Sequence, residues 1–207
     1  MNSPSAIQTA SGRYFDVLNP RVEDVKVSDI AHALSHVCRF AGHSRIFWSV
    51  ANHSMLVADI VSTIDSNPTF DLYALLHDAS EAVLGDMPRP LKHFSAFGSD
   101  FRAIERKVSD VIADAFALPR GYEKLSPIKL ADNWATAIEA YYLMPSAPWI
   151  TGLIDELNIA SIVDQYATHF SQHWLDIPET KTAFLERILL AMRRVGYPDL
   201  RPIAQIL

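Results

Sequence analysis

The sequence predicts an all-α protein built as a bundle of helices. Apolar residues recur at three- and four-residue intervals in several segments, which is the period of a helix that buries one face. Most of the twelve prolines stand at the ends of these segments, where they start or stop a helix. Strand signals are weak throughout, so the 207 residues are expected to form one helical domain over 1–207.

The first predicted helix follows an extended opening. Residues 12–20 are interpreted as extended or hairpin-like. Ser28 or Asp29 is expected to cap a helix that runs to about Val37, because a side-chain oxygen at that position can accept a free backbone N–H. A loop over residues 38–47 should follow.

Two helices that carry histidines come next. Ser49 precedes a strongly helical pattern that continues to Ile64 and places His53 on its inner face. Asp71 is expected to cap the following helix, and Gly85, a good left-handed terminator, is expected to end it.

Prolines and a glycine mark the remaining predicted helices. Residues 99–118 should form a long amphipathic helix. Ser126 and Pro127 are interpreted as a cap and a first-turn proline that open a helix ending before Pro145. Two C-terminal helices are expected to pack on the others, over residues 160–174 and 178–195.

The composition disfavours a membrane protein and a nucleic-acid binder. No apolar run approaches the roughly 20 residues needed to cross a bilayer, and the N-terminus lacks a signal pattern, so a soluble, cytoplasmic protein is expected. The single cysteine, Cys38, fits a reducing compartment. A net charge of −6 is a poor match for a long polyanion, although a few local cations and a metal still permit a small phosphorylated ligand.

Four side chains on three predicted helices form a candidate metal site. His53, the adjacent His77 and Asp78, and Asp132 offer two imidazoles and two carboxylates. Consecutive residues project about 100° apart on a helix, which still lets His77 and Asp78 reach one ion. This donor set suits Mn²⁺, Co²⁺, Fe²⁺, Ni²⁺ or Zn²⁺ and is tolerable for Mg²⁺, and such an ion would make water more acidic.

Two carboxylates and two cations near these ligands are candidate catalytic and substrate-binding groups. Glu81 lies four residues after His77, on the same face of the predicted helix, and is the preferred general base. Asp86 stands at the predicted helix end and is assigned positioning or proton transfer. Arg39 and Lys92 are assigned phosphate contacts, although Lys92 is about as compatible with a surface charge.

The other histidines and the aromatic residues have less specific interpretations. His43 lies in a loop before a metal-ligand helix, where a substrate contact and a structural role are about equally supported. His169 and His173 are interpreted as part of a core or interface stripe. A homo-oligomer is expected, and candidates for packing or subunit contact are the aromatic residues Tyr141, Tyr142, Trp149 and Trp174.

The order and spacing of these residues resemble those of the HD-domain metal-dependent phosphohydrolases. His53, His77, Asp78 and Asp132 match the H…HD…D pattern of that superfamily. Residues 77–92, HDASEAVLGDMPRPLK, with Cys-Arg-Phe upstream, are similar to the 5′-deoxynucleotidase branch and to related small phage deoxyadenosine triphosphate triphosphohydrolases. The resemblance extends over roughly residues 30–139.

The resemblance implies an HD-domain helical bundle and a transition metal on those four ligands. It also implies that Glu81 and Asp86 act on water or on the leaving group, and that Arg39 contacts phosphate. Phe40 departs from the branch, which carries tryptophan at this position to shape the sugar pocket.

The expected activity is hydrolysis of the 5′ phosphoester of a small (deoxy)nucleotide, with cleavage of a monophosphate as the leading form. Release of intact triphosphate from a deoxynucleoside triphosphate is the alternative, because it breaks the same linkage. A non-catalytic nucleotide- or metal-binding module is the alternative of another class. Glu81 and Asp86 argue against that module, because a binding site needs no water-activating carboxylate.

Overall fold

The structure, a computed structural model, describes residues 3–171 and 176–196, which form the predicted all-α bundle with one small hairpin. The hairpin strands Ala6–Gln8 (β1) and Tyr14–Asp16 (β2) pair antiparallel. The helices are Val27–His36 (α1), Val50–Ile64 (α2), Thr69–Leu76 (α3), Glu81–Leu84 (α4), Arg89–Phe94 (α5), Gly98–Ala115 (α6), Ser126–Leu143 (α7), Pro148–Glu156 (α8), Thr168–Ser171 (α9) and Ile177–Arg194 (α10). Short 3-10 turns lie at Val22–Asp24, Phe40–Gly42, Tyr122–Lys124 and Val163–Tyr166. None of the helices in the described ranges has the length and apolar character needed to span a bilayer.

Helix α2 is the centre of the bundle and packs on both α3 and α7. Its start was correctly predicted: the Ser49 hydroxyl accepts the N–H of Asn52 at 3.1 Å, and the Asn52 side chain accepts the N–H of Ser49 at 3.2 Å. Its inner face buries Leu56 and Ile60 completely. A rigid, capped helix therefore carries His53 into the middle of the core.

The helix predicted from Asp71 to Gly85 is instead two helices, α3 and α4, joined by a turn over residues 77–80. The cap at Asp71 was also wrong. Helix α3 begins at Thr69, whose backbone N–H is accepted by the Asn67 side chain at 3.1 Å, and this leaves Asp71 in the first turn.

Two side chains form hydrogen bonds with backbone carbonyls of α3 that would otherwise accept the N–H groups of a longer helix. The His77 Nδ1 atom lies 2.7 Å from the Ala74 carbonyl, and the Tyr122 hydroxyl donates to the Leu76 carbonyl at 2.5 Å. In an uninterrupted helix, these two carbonyls would accept the N–H groups of Asp78 and Ser80. The backbone instead tightens to bonds between residues three apart, which sets the directions of the side chains in the turn.

Other helix boundaries differ from the prediction for similar local reasons. Helix α1 begins at Val27 with no side-chain cap, because Asp29 instead accepts the backbone N–H and the hydroxyl of Ser11, both at 2.8 Å. Helix α7 has Leu125 as its N-cap, which places Ser126 and Pro127 in the first turn.

The predicted helix over residues 160–174 is absent from the described part of that segment. A 3-10 turn at Val163–Tyr166 and the short α9 stand there instead, while α8 was not predicted. His173 and Trp174 lie outside the described residues. The second C-terminal helix was correctly predicted, and Arg187 of α10 donates to the Met55 carbonyl at 3.2 Å and to the Asp59 carboxylate of α2.

We expect the substitution Gly98→Ala to destabilise the fold by about 1–3 kcal/mol. A Cβ atom on Gly98 would lie only 2.5 Å from the backbone oxygen of Lys92, so α5 and α6 would have to move apart. Gly152→Ala in α8 is the matched control, since no atom lies within 4 Å of the added Cβ and removing a helical glycine should stabilise slightly. Chemical denaturation of both variants measures the difference, and equal stability would contradict the contact.

Candidate metal centre

The structure brings the four predicted metal ligands together from three parts of the fold. His53 comes from α2, His77 and Asp78 from the turn after α3, and Asp132 from α7. The His53 Nε2 atom lies 3.2 Å from Asp132 Oδ1, and His77 Nε2 lies 3.1 Å from Asp78 Oδ2. The ligand atoms of His53, His77 and Asp132 all lie within 4.8 Å of one another. Asp78 Oδ2 is also 3.7 Å from His53 Nε2, so it faces the same point.

The second nitrogen of each imidazole fixes which nitrogen can bind a cation. The Ala74 carbonyl can only accept, so the neighbouring His77 Nδ1 carries a hydrogen. The His53 Nδ1 atom likewise lies 2.8 Å from the Glu139 carboxylate. Both Nε2 atoms are buried and form no hydrogen bond with the described residues. Two buried nitrogens of this kind beside two carboxylates fit a divalent transition metal.

The charges of the ligands support the same conclusion. Burial opposes ionisation of Asp78 and Asp132, yet the facing imidazoles hold the pKa of each carboxyl below its ordinary value. Burial by itself lowers the pKa of His53, but the carboxylates of Glu139 and Asp132 outweigh it and raise this pKa to about 9. Asp78 and Asp132 therefore stay ionised, and a divalent cation that binds at the site displaces the proton that His53 carries at neutral pH.

Glu139 supports the site from behind and was missed in the sequence. Its side chain is fully buried and accepts the indole N–H of Trp48 at 2.8 Å and the Arg39 Nε–H at 3.0 Å, besides facing His53. The signal was available, because Glu139 lies two helical turns after Asp132 and so shares its face of α7. A fully buried carboxylate with three donors around it orients both His53, a candidate metal ligand, and the guanidinium of Arg39.

Arg39 lies beside the metal ligands, as its predicted phosphate contact requires. A hydrogen bond of 2.8 Å from the backbone N–H of Arg39 to the carbonyl of Trp48 joins the two ends of the loop that Arg39 begins. The guanidinium donates to the Thr136 hydroxyl at 3.2 Å and lies 4.0 Å from Asp78 Oδ2. The ring centre of the adjacent Phe40 lies 5.7 Å from the guanidinium carbon. The backbone of Phe40 has a φ of +54°, which is a strained conformation for a bulky residue.

The other two predicted substrate residues, His43 and Lys92, come from different segments of the chain. His43 is exposed in the loop that carries Arg39. The Lys92 ammonium lies 2.5 Å from the Glu105 carboxylate and lines a cavity whose wall includes His77 and Asp78. Phosphate contact therefore stays a prediction for both side chains.

The two predicted catalytic carboxylates have raised pKa values. Burial, with the charges of Asp78 and Asp86, raises the pKa of Glu81 well above its ordinary value, and one oxygen of Glu81 is buried without a hydrogen bond to the described residues. Asp86 follows Gly85, which turns the chain with a φ of +76°. Burial and the charge of Asp78 raise the pKa of Asp86, against the opposing effect of Arg39. A carboxyl of this kind exchanges protons closer to neutral pH.

We expect Glu139→Gln to weaken cation binding by about 10- to 100-fold. The substitution keeps the size of the side chain but removes the charge that holds the His53 Nδ1 hydrogen and pairs with Arg39. Calorimetric titration with Mn²⁺ or Co²⁺ measures the change. The control is Glu156→Gln, an exposed residue of α8 with the same change in charge. Equal affinities of the two variants would exclude a supporting role for Glu139.

Comparisons with known proteins agree with this geometry. A family model described as 5′-deoxynucleotidase YfbR-like matches residues 28–125. The chain is 39% identical over 137 residues to the uncharacterized protein YfdR of Escherichia coli strain K12, covering 65% of this chain and 70% of that protein. It is 37% identical over 136 residues to an uncharacterized protein of Rhodobacter capsulatus, covering 63% of this chain and 66% of that protein. The matched family segment contains His53, His77 and Asp78, and Asp132 lies just beyond it.

Proposed function

The chain belongs to the YfbR-like 5′-deoxynucleotidase family, and from this we propose that it hydrolyses the 5′ phosphoester bond of a (deoxy)nucleotide. Membership makes it a metal-dependent phosphohydrolase. One observation supports the site assignment most strongly: two buried imidazole nitrogens without hydrogen bonds to the described residues face the carboxylates of Asp78 and Asp132. In our proposal, His53, His77, Asp78 and Asp132 hold the cation.

The chain's own residues then have separate roles. When bound, a divalent cation of this kind withdraws charge from a phosphate oxygen and lowers the pKa of water. Glu81 takes a proton from the attacking water, whose oxygen forms a bond to phosphorus. The bond between phosphorus and the 5′ oxygen breaks, and the protonated Asp86 gives its proton to that oxygen. Arg39 neutralises charge on the phosphate.

The side chains around the reacting centre are assigned to substrate binding. Phe40 and His43 lie on the loop that carries Arg39, and we assign them to the nucleoside side of the phosphate. Lys92 lines the cavity whose wall includes His77 and Asp78, and we assign it to the phosphate. A smaller aromatic side chain at position 40 leaves more room at the sugar than a tryptophan would.

A substrate screen tests this function. Deoxy- and ribonucleoside mono- and triphosphates are incubated with Mn²⁺, Co²⁺, Zn²⁺ or Mg²⁺, and the phosphate products are identified. We expect release of phosphate that is lost with a chelator and restored by added cation. Binding of nucleotide without product from any substrate would instead support a non-catalytic module.

We further propose that the chain forms a single domain and works as a homo-oligomer. Ion pairs from Arg187 and Arg194 of α10 to Asp59 of α2 and Asp71 of α3 tie the C-terminal helix to the bundle. Trp149 is exposed on α8 and offers an aromatic surface for a second copy. Sedimentation of the purified chain tests the oligomer.

A further inference from the structure

Helix α7 presents three polar side chains on one face, next to the candidate metal centre. Asp132, Thr136 and Glu139 are spaced by four and three residues, which is the helical repeat. Asp132 is a proposed metal ligand, and Glu139 supports His53 from behind. Thr136 lies between them in the sequence, and its hydroxyl accepts a hydrogen bond from Arg39 at 3.2 Å.

The two hydrogen bonds from Arg39 to α7 use one edge of its guanidinium. Nε donates to Glu139 Oε2 at 3.0 Å, and Nη2 donates to Thr136 Oγ1 at 3.2 Å. A guanidinium has five N–H donors. Within residues 3–171 and 176–196 the remaining donors, on Nη1 and Nη2, form no hydrogen bond. Nη1 lies 4.0 Å from Asp78 Oδ2, so these donors are on the side of the candidate metal ligands.

The two acceptors on α7 differ in charge, which separates their roles. Glu139 is a fully buried carboxylate that balances the charge of the guanidinium. Thr136 offers a neutral oxygen, so its hydrogen bond orients the guanidinium without reducing the positive charge available to a substrate. One hydrogen bond at Nε would let the planar group tilt, whereas a second one at Nη2 fixes its plane. The rotamer freedom of the arginine is then lost on folding, before a substrate binds.

We infer that Thr136 is a positioning residue for the phosphate contact of Arg39. This inference rests on the proposed function and deepens it. The Thr136 hydroxyl holds the guanidinium so that its Nη1 N–H groups lie beside Asp78, where they donate to the phosphate of the substrate. Thr136 acts only through Arg39. Loss of its oxygen should therefore weaken phosphate binding and spare cation binding.

The substitution Thr136→Val tests this role, because valine keeps the shape of the side chain and lacks the hydroxyl. We expect kcat/KM for a nucleotide with Mn²⁺ to fall by about tenfold, while Mn²⁺ affinity measured by calorimetry stays within about threefold. Thr136→Ser restores the oxygen and should recover most of the loss. The matched control is Thr151→Val, the same change at an exposed threonine of α8, which should leave kcat/KM unchanged.

A double-mutant cycle tests whether Thr136 acts through Arg39. Arg39→Gln keeps an N–H donor beside Glu139 but removes the guanidinium that Thr136 positions. In that background Thr136→Val should lower kcat/KM by less than about twofold. An equal fall in both backgrounds, a failure of Thr136→Ser to recover activity, or a parallel loss of Mn²⁺ affinity overturns the inference.

Binding of inorganic phosphate separates this inference from the proposed function. Phosphate should bind the Mn²⁺-loaded native chain, and Thr136→Val should weaken that binding by about tenfold. If no nucleotide is hydrolysed but phosphate binding depends on Thr136, the positioning role stands and the proposed activity is wrong. If a nucleotide is hydrolysed and Thr136→Val binds phosphate as tightly as the native chain, the proposed function stands and the positioning role is wrong.

Discussion

Replacing Asp78 by alanine is expected to abolish hydrolysis, with a loss of at least about a thousandfold in kcat/KM. The carboxylate lies 3.1 Å from His77 Nε2 and 3.7 Å from His53 Nε2, so its removal takes away one of the four proposed ligands and part of the negative charge that would attract a cation. Mn²⁺ affinity should fall in parallel. Calorimetry and phosphate release on the same preparation measure the two effects.

The control for this loss is Asp155→Ala. Asp155 is an exposed carboxylate of α8, so it changes the net charge equally without touching the centre. An Asp78→Ala protein that binds Mn²⁺ with full affinity would show that the cation is held elsewhere. Thermal unfolding distinguishes loss of the ligand from loss of the fold.

The substitution Glu81→Gln should lower kcat by about 10²- to 10⁴-fold while leaving cation affinity within about threefold. Glu81 is buried and one of its carboxylate oxygens forms no hydrogen bond to the described residues. Asp78 lies within 4 Å of the Nε2 atoms of His53 and His77, whereas Glu81 forms no such contact with either ring in the described part of the chain. Glutamine has nearly the same shape and cannot take a proton. Equal loss of Mn²⁺ from Glu81→Gln and from Asp78→Ala would refute this division of roles.

The pH dependence of the reaction offers a second test of Glu81. Burial, with the charges of Asp78 and Asp86, raises the pKa of Glu81, so the carboxyl is protonated and inactive as a base below that raised pKa. Activity of the native chain should therefore rise with pH through this range. The residual activity of Glu81→Gln should lack that rise, and an identical acidic limb in both proteins would assign the titration to another group.

Local sequence patterns predicted the all-α class, helix α2 and the four side chains that come together as candidate ligands. Helix α2 was predicted because its cap and its apolar period lie within one segment, and the spacing of His53, His77, Asp78 and Asp132 identified the residues that the fold brings together. These features depend on short-range chemistry or on a motif, both of which are visible in one dimension.

Features that depend on contacts across the fold were not predicted. The turn after α3 involves the hydroxyl of Tyr122, 46 residues from the carbonyl it bonds. The supporting role of Glu139 depends on hydrogen bonds from Trp48 and Arg39, which lie 91 and 100 residues away in the sequence. The cavity beside His77 and Asp78 likewise joins side chains from several segments, among them Lys92, Arg106 and Lys124.

The bond from the His77 ring to the Ala74 carbonyl restricts which amino acid can stand at position 77. An aspartate or glutamate there would still offer oxygen to a cation, but it has no N–H for that carbonyl. The carbonyl would then be available to the backbone of Asp78, and α3 would tend to continue by another residue and rotate the Asp78 carboxylate away from His53. Histidine at position 77 therefore sets where α3 ends as well as how tightly a cation is held. Any other ligand type at this position would first have to end the helix at the same residue.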